Sequence, residues 1–92
     1  MKELEKEFIG RGEVRGFIFT QLIKNEYGYI YQVSNNGNIH FEVFRRKENT
    51  QFNCISYPKS PSFGIWAWSK TTFEDAQNIL NEITQQSEIN AF

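Results

Sequence analysis

The stretch from Tyr27 to Arg46 constrains the fold more than any other part of this sequence. Apolar and other residues alternate there in two segments, which is the period of a β-strand. The apolar positions are Tyr27, Tyr29, Tyr31 and Val33 in the first segment and Ile39, Phe41 and Val43 in the second. Between the segments lies Asn35-Asn36-Gly37, and glycine readily adopts the positive φ that a tight turn needs. The stretch therefore predicts a β-hairpin.

The length of the hairpin loop decides which side chains share a face. A two-residue loop at Asn36-Gly37 sets Ser34 against Ile39 and mixes polar and apolar residues on each side. A three-residue loop that ends in a left-handed Gly37 pairs the apolar residues with one another: Val33 with Ile39, Tyr31 with Phe41, and Tyr29 with Val43. A shift of one residue exchanges the two faces of a strand. Because one apolar face is expected, we predict the three-residue loop with a glycine bulge.

The composition indicates one folded domain over residues 1–92. A chain of 92 residues is long enough for a single core but not for two. Hydrophobic residues make up 39% and charged residues 23%, which excludes the disordered class, and the 16% of aromatic residues suits a β-rich core. The formal net charge of -1 gives little long-range attraction to a polyanion.

The cysteine content and the start of the chain indicate a cytoplasmic protein. Cys54 is the single cysteine, so it forms no disulfide within the chain, and a reducing compartment is expected. The first residues, MKELEKEF, carry charges where a signal peptide has its apolar core. No apolar run approaches the ~20 residues of a membrane span, so no membrane partner is expected.

The rest of the chain predicts an α+β fold. We expect an antiparallel β-meander of four to five strands over residues 13–68, with one C-terminal helix packed on one face. The expected strands beside the hairpin are Glu13 to Ile23, Gln51 to Tyr57 and Phe63 to Trp68. Residues 1–10 are expected to form an arm or a short helix, because Gly10 and Gly12 follow at once.

The C-terminal helix is predicted over residues 72–86. Its apolar positions recur every three or four residues: Phe73, Ala76, Leu80 and Ile83. Thr71 with Glu74, or Thr72 with Asp75, has the spacing of a capping box. Polarity rises from Gln85 onward, so residues 87–92 are expected to fray.

No group of residues indicates catalysis, a metal or a cofactor. His40 is the only histidine and no nucleophile is recognisable beside it, so we interpret it as a surface residue. Cys54 lies inside a predicted strand, where a cysteine most often behaves as a small buried apolar group. The two residues do not make a metal-ligand set, and the glycines do not open a helix as a phosphate loop does. We therefore expect a non-enzymatic protein.

Two groups of side chains are candidates for contact with a partner. Residues of the outer sheet face form the first group: Arg15, Phe17, Phe19, Phe44 and Arg46. Trp66 and Trp68, beside the polar Ser69-Lys70, form the second. The alternative for the phenylalanines is cover by the Pro58 to Ser62 loop, the N-terminal arm or another copy of the chain, and the alternative for the tryptophans is the core.

Two functions fit these groups. The first is a binding module that acts through protein contacts or homodimerisation, using the aromatic sheet face. The second is a module for single-stranded nucleic acid, because aromatic rings stack on bases while arginines hold phosphates. The balance of ten basic against eleven acidic residues favours the protein partner.

Overall fold

A five-stranded antiparallel sheet with one helix across it forms the fold in the computed structural model, which describes residues 1–90. The five strands are β1 (Glu7–Ile9), β2 (Ile18–Lys24), β3 (Gly28–Asn35), β4 (Asn38–Arg45) and β7 (Ala67–Lys70). Between β4 and β7 in the chain, β5 (Glu48–Asn49) and β6 (Cys54–Ile55) form a separate two-stranded sheet. The helix α1 spans Phe73–Asn90. The spatial order of the sheet is β1-β2-β3-β4-β7, so the predicted α+β class and the antiparallel sheet are confirmed.

The element boundaries differ from the predicted ones at glycine or asparagine residues with positive φ. The strand predicted from Glu13 begins only at Ile18, after a 3-10 turn at Gly12–Val14 and Gly16 with φ 85°. The strand predicted over Gln51 to Tyr57 shortens to β6, because Asn53 has φ 52°. The last strand begins at Ala67, since Gly64 has φ 90°.

The hairpin between β3 and β4 has a two-residue turn, so the predicted three-residue loop was wrong. Val33 pairs with His40, and Ser34 pairs with Ile39. Asn36 and Gly37 have φ of 50° and 83°, and two positive φ values in a two-residue loop define a type I′ turn. The prediction failed because it assumed a single apolar face, whereas each face of this sheet carries a buried core.

The helix covers one face of the sheet, called here the helix-side face. Leu80 and Ile83 are buried against Ile30 and Val43, and α1 packs on β3, β4 and β7. At the start of the helix, the Thr72 Oγ1 accepts a hydrogen bond of 3.2 Å from the Asp75 backbone N–H, as the capping-box spacing predicts. The helix continues to Asn90, beyond the predicted end at residue 86. The last part of the predicted frayed tail, residues 91 and 92, lies outside the described residues.

The opposite face, called the aromatic face, carries a second core. Its buried residues are Phe19, Tyr29, Tyr31, Val33, Phe44, Ile55 and Ala67. Tyr57, from the segment that connects β6 to β7, packs edge-on against Phe44 with ring centroids 4.8 Å apart, and Phe8 stacks on Phe19 at 4.7 Å. The long connection between β4 and β7 therefore covers the face of the sheet opposite the helix, as a second helix does in folds with helices on both faces of a sheet.

An extended N-terminal segment closes the aromatic face, which corresponds to the arm and not to the short helix of the two expected alternatives. Residues 2–6, the N-terminal strap, are held by backbone groups at both ends. The Lys2 N–H donates to the Asn53 carbonyl at 2.8 Å, and the Gln21 N–H donates to the Lys6 carbonyl at 2.7 Å. The Tyr31 hydroxyl donates to the Glu5 carbonyl at 2.6 Å. These bonds hold the strap on the sheet, and β1 follows it directly in the chain.

Within residues 1–90, no helix has the length and apolar character needed to cross a bilayer.

Candidate functional site

The aromatic sheet face predicted as a partner-binding surface is covered by the protein itself. Phe44 and Phe19 are 0% and 3% exposed, beneath Tyr57, Phe8 and the N-terminal strap. Two buried rings offer no surface to a partner, so these two residues belong to the core. The structure therefore agrees with the alternative interpretation, in which the N-terminal segment and the chain around Pro58 cover the phenylalanines.

The other five predicted residues do not form one surface. Phe17 and Trp66 pack at the margin of the aromatic core, and the Lys47 Nζ lies 5.1 Å from the centroid of the Trp66 ring. Trp68 packs against the helix-side core, on the other face of the sheet. Arg15 is exposed just after the 3-10 turn.

Arg46, the last of the five, is held in a polar network under the strap. Its Nη1 donates to the Glu3 Oε2 and to the Tyr29 hydroxyl, each at 2.7 Å. The Tyr29 hydroxyl donates to the Glu3 Oε1 at 2.5 Å, and the Lys24 Nζ lies 3.6 Å from the same oxygen. Three of these four contacts are made with Glu3, and the fourth joins two of its partners, so the network fastens the strap to the sheet.

The pKa values of this network follow from its geometry. Partial burial opposes ionisation of Glu3, but the hydrogen bonds from Tyr29 and Arg46 and the nearby positive charges outweigh it. Together they lower the pKa of Glu3 to about 2. Burial and then the bond to Glu3 raise the pKa of Tyr29 above its usual value. Arg46 is thus neutralised by a carboxylate that remains ionised at physiological pH.

A second polar chain, which sequence reasoning missed, links His40, Glu42 and Tyr57. The His40 Nε2 lies 3.0 Å from the Glu42 Oε2, and the Tyr57 hydroxyl donates to the Glu42 Oε1 at 2.8 Å. Burial, followed by the Glu42 charge, raises the pKa of Tyr57. Both carboxylate oxygens are occupied, so the group holds Tyr57 in place over the core. The spacing of His40 and Glu42 indicated a shared face, but nothing in the sequence pointed to Tyr57.

A groove of about 1110 Å³ runs between the strap, the 3-10 turn at Gly12–Val14 and residues 54–63. Its lining includes the rings of Phe8, Phe19 and Phe63, together with acidic and basic side chains of both flanks. Glu42 also lines it, with its oxygens already bonded as described. Within residues 1–90, no three His, Cys, Asp or Glu side chains converge as a metal site requires.

The outer edge of β1 presents free backbone groups. Hydrogen bonds from the Gly10 N–H to the Phe17 carbonyl and from the Gln21 N–H to the Lys6 carbonyl fix the phase of the β1–β2 ladder. Because hydrogen-bonded and non-bonded pairs alternate in an antiparallel ladder, Glu7 and Ile9 direct their N–H and C=O groups away from β2. Among residues 1–90, no backbone group bonds to this outer side. Such an edge is a template for another strand.

Exposed isoleucines extend from this edge across the helix-side face. Ile9 pairs with Ile18, Ile18 with Ser34, and Ser34 with Ile39. Residues directly opposite on neighbouring strands share a face. The three isoleucines, called the isoleucine row, are 68%, 43% and 51% exposed, because α1 packs over the other end of the sheet. The row begins at the free edge.

The opposite edge of the sheet is less accessible. On β7, the Ala67 carbonyl accepts a hydrogen bond of 2.7 Å from the Gly64 N–H, and Phe63 makes a parallel bridge to Ala67. The helix follows β7 after only two residues. The β1 edge is therefore the candidate functional site: Glu7 and Ile9 with the isoleucine row beside them. The sequence signal for this site was weak, because a three-residue strand is too short to show a period.

Comparison with known proteins adds no functional information. No protein-family model matches this sequence, and neither a curated protein nor a solved structure does so.

Proposed function

We propose that this chain is a small, non-enzymatic protein-binding module that accepts an extended strand of its partner at the β1 edge. The observation that carries the proposal is the unpaired N–H and C=O groups of Glu7 and Ile9. In strand addition, main-chain hydrogen bonds supply affinity and the pockets or neighbours of alternate side chains supply specificity. The strap bonds hold β1 in an extended shape before any partner arrives, which lowers the entropic cost of binding.

The side chains along the edge define the partner strand. Glu7, Ile9 and Arg11 alternate with Phe8 and Gly10, and Arg11 is still extended, with φ -127° and ψ 164°. An antiparallel partner meets Arg11 first, then Ile9, then Glu7. The complementary pattern, from N to C terminus, is therefore an acidic residue, any residue, an apolar residue, any residue and a basic residue.

In this proposal the partner binds at the β1 edge and not at the aromatic sheet face. Binding of single-stranded nucleic acid is the alternative function predicted from the sequence, and it is disfavoured. Phe19 and Phe44, the rings expected to stack on bases, are buried, and Arg46 is paired with Glu3. A cytoplasmic location remains part of the proposal, supported by the free thiol of Cys54.

A displayed library of random nine-residue peptides tests strand addition. We expect the enriched peptides to carry the acidic, apolar and basic residues at alternate positions. The variant Ile9→Pro removes one outward N–H without touching the bonds to β2, so it should lose these peptides while keeping the circular dichroism spectrum of the parent. Ser69→Pro, at an outward position of β7, is the matched control and should retain them. Enriched peptides that bind Ile9→Pro as tightly as the parent would contradict the proposal.

A further inference from the structure

The pattern that the β1 edge requires of a partner occurs in β1 itself. From Glu7 to Arg11 the chain reads Glu-Phe-Ile-Gly-Arg, which is acidic, apolar and basic at alternate positions. We infer that the partner strand is the β1 strand of a second copy of this chain, antiparallel, with Ile9 opposite the partner's Ile9. This inference rests on the proposed function and names its partner.

The charges select this register among those that the backbone phase allows. With Ile9 opposite the partner's Ile9, Glu7 faces the partner's Arg11, and the reverse pair repeats across the two-fold axis. With Glu7 opposite the partner's Glu7, two like charges meet and Ile9 faces the partner's Glu5. With Glu7 opposite the partner's Ile9, each isoleucine faces a charge. Opposite charges stabilise a cross-strand pair and like charges destabilise it, so the first register is preferred.

The backbone at both ends of β1 suits this pairing. Ile9 and the partner's Ile9 exchange two hydrogen bonds, and each Arg11 N–H reaches the opposite Glu7 carbonyl. The pairing stops at the 3-10 turn of Gly12–Val14, where the chain leaves the sheet. Gly10 permits that turn, because a Cβ there would collide with the Val14 carbonyl oxygen. The result is an isologous dimer with one ten-stranded sheet.

The dimer joins the two isoleucine rows into one. Ile9 and the partner's Ile9 lie next to each other on the helix-side face, and Ile18 and Ile39 continue the row on each side. Ile9 is the most exposed residue of the row in the single chain, and this pairing shields it. Edge strands of natural sheets usually carry features that prevent pairing with another strand, such as a charge or a proline. In β1, an exposed Ile9 lies at the centre of the edge, with the opposite charges of Glu7 and Arg11 on either side of it.

A cysteine cross-link tests the register directly. In a Cys54→Ser background, Ile9→Cys places two thiols at the two-fold axis, where the Cα atoms of a hydrogen-bonded antiparallel pair are about 5.5 Å apart, within reach of a disulfide. Mild oxidation should convert this variant into a covalent dimer. Ile18→Cys in the same background is the matched control. It lies on the same row and face, but its two copies are three strand spacings apart, about 14 Å, and should not cross-link.

A charge-reversal cycle measured by sedimentation equilibrium gives an independent test. The parent chain should dimerise reversibly with concentration. Glu7→Lys and Arg11→Glu should each weaken the dimer by about tenfold, because two attractive pairs become repulsive. The double variant should recover most of the parent affinity, a rescue that a loss of folding does not give. Lys59→Glu, on the far side of the groove, serves as the charge control.

The outcomes separate this inference from the proposed function. A parent chain that remains monomeric at millimolar concentration, or one in which Ile18→Cys cross-links and Ile9→Cys does not, would overturn the second-copy pairing. Strand addition itself is decided by the peptide selection and its Ile9→Pro variant. A chain that selects peptides but stays monomeric would therefore retain the proposed function and lose this inference.

Discussion

The Glu3 network predicts how the stability of this protein depends on pH. Glu3→Gln keeps the size of the side chain and removes the charge that binds Arg46 and Tyr29. A shift of the Glu3 pKa from 4.5 to about 2 corresponds nominally to about 3 kcal/mol. The Glu3 side chain is 35% exposed, so solvent screening reduces the expected loss at pH 7 to about 1 to 2 kcal/mol.

The direction with pH follows from the lowered pKa. Ionised Glu3 stabilises the fold fully above pH 4.5, and the contribution disappears as the pH falls through the range from 4.5 to about 2. The difference in unfolding free energy between the parent and Glu3→Gln should therefore be constant from pH 6 to 8 and shrink below pH 4.5.

Urea denaturation followed by tryptophan fluorescence across this pH range measures the difference. Glu5→Gln is the matched control, since Glu5 lies on the same strap but contributes only its carbonyl oxygen to a hydrogen bond. A loss that does not change between pH 7 and about pH 3, or one that Glu5→Gln reproduces, would refute the role of the Glu3 charge in fastening the strap.

Three further substitutions test the hairpin, the helix and the cover of the aromatic face by urea denaturation at pH 7. Gly37→Ala should cost about 1 kcal/mol, because φ at this turn position is 83° and a Cβ is penalised there. Leu80→Ala should cost about 2 to 5 kcal/mol through loss of its buried contacts with the sheet, and a loss below 1 kcal/mol would mean that α1 is not packed there. Tyr57→Phe should cost about 1.5 to 3 kcal/mol, since it removes a bond to the Glu42 carboxylate and keeps the ring; a neutral result would exclude that bond.

Local signals in the sequence determined the element types and the fold class. The alternation over Tyr27 to Arg46 predicted the β3–β4 hairpin, and the spacing of Phe73, Ala76, Leu80 and Ile83 predicted the helix. Two overlapping capping-box pairs, Thr71 with Glu74 or Thr72 with Asp75, predicted the start of the helix to within one residue, and the structure shows the second. These features depend on interactions between residues that are close in the chain, so a short window of sequence is enough to predict them.

Only the tertiary structure decided the register and the location of the free surface. The sequence indicated one apolar face, but residues 2–6 and 54–66 cover the second face, and that cover permits the two-residue turn at Asn36-Gly37. The same cover buries Phe19 and Phe44 and moves the candidate site to β1. Cover of this kind depends on contacts between distant segments, such as Glu3 with Arg46, 43 residues apart, and no local period records which segment packs over which face.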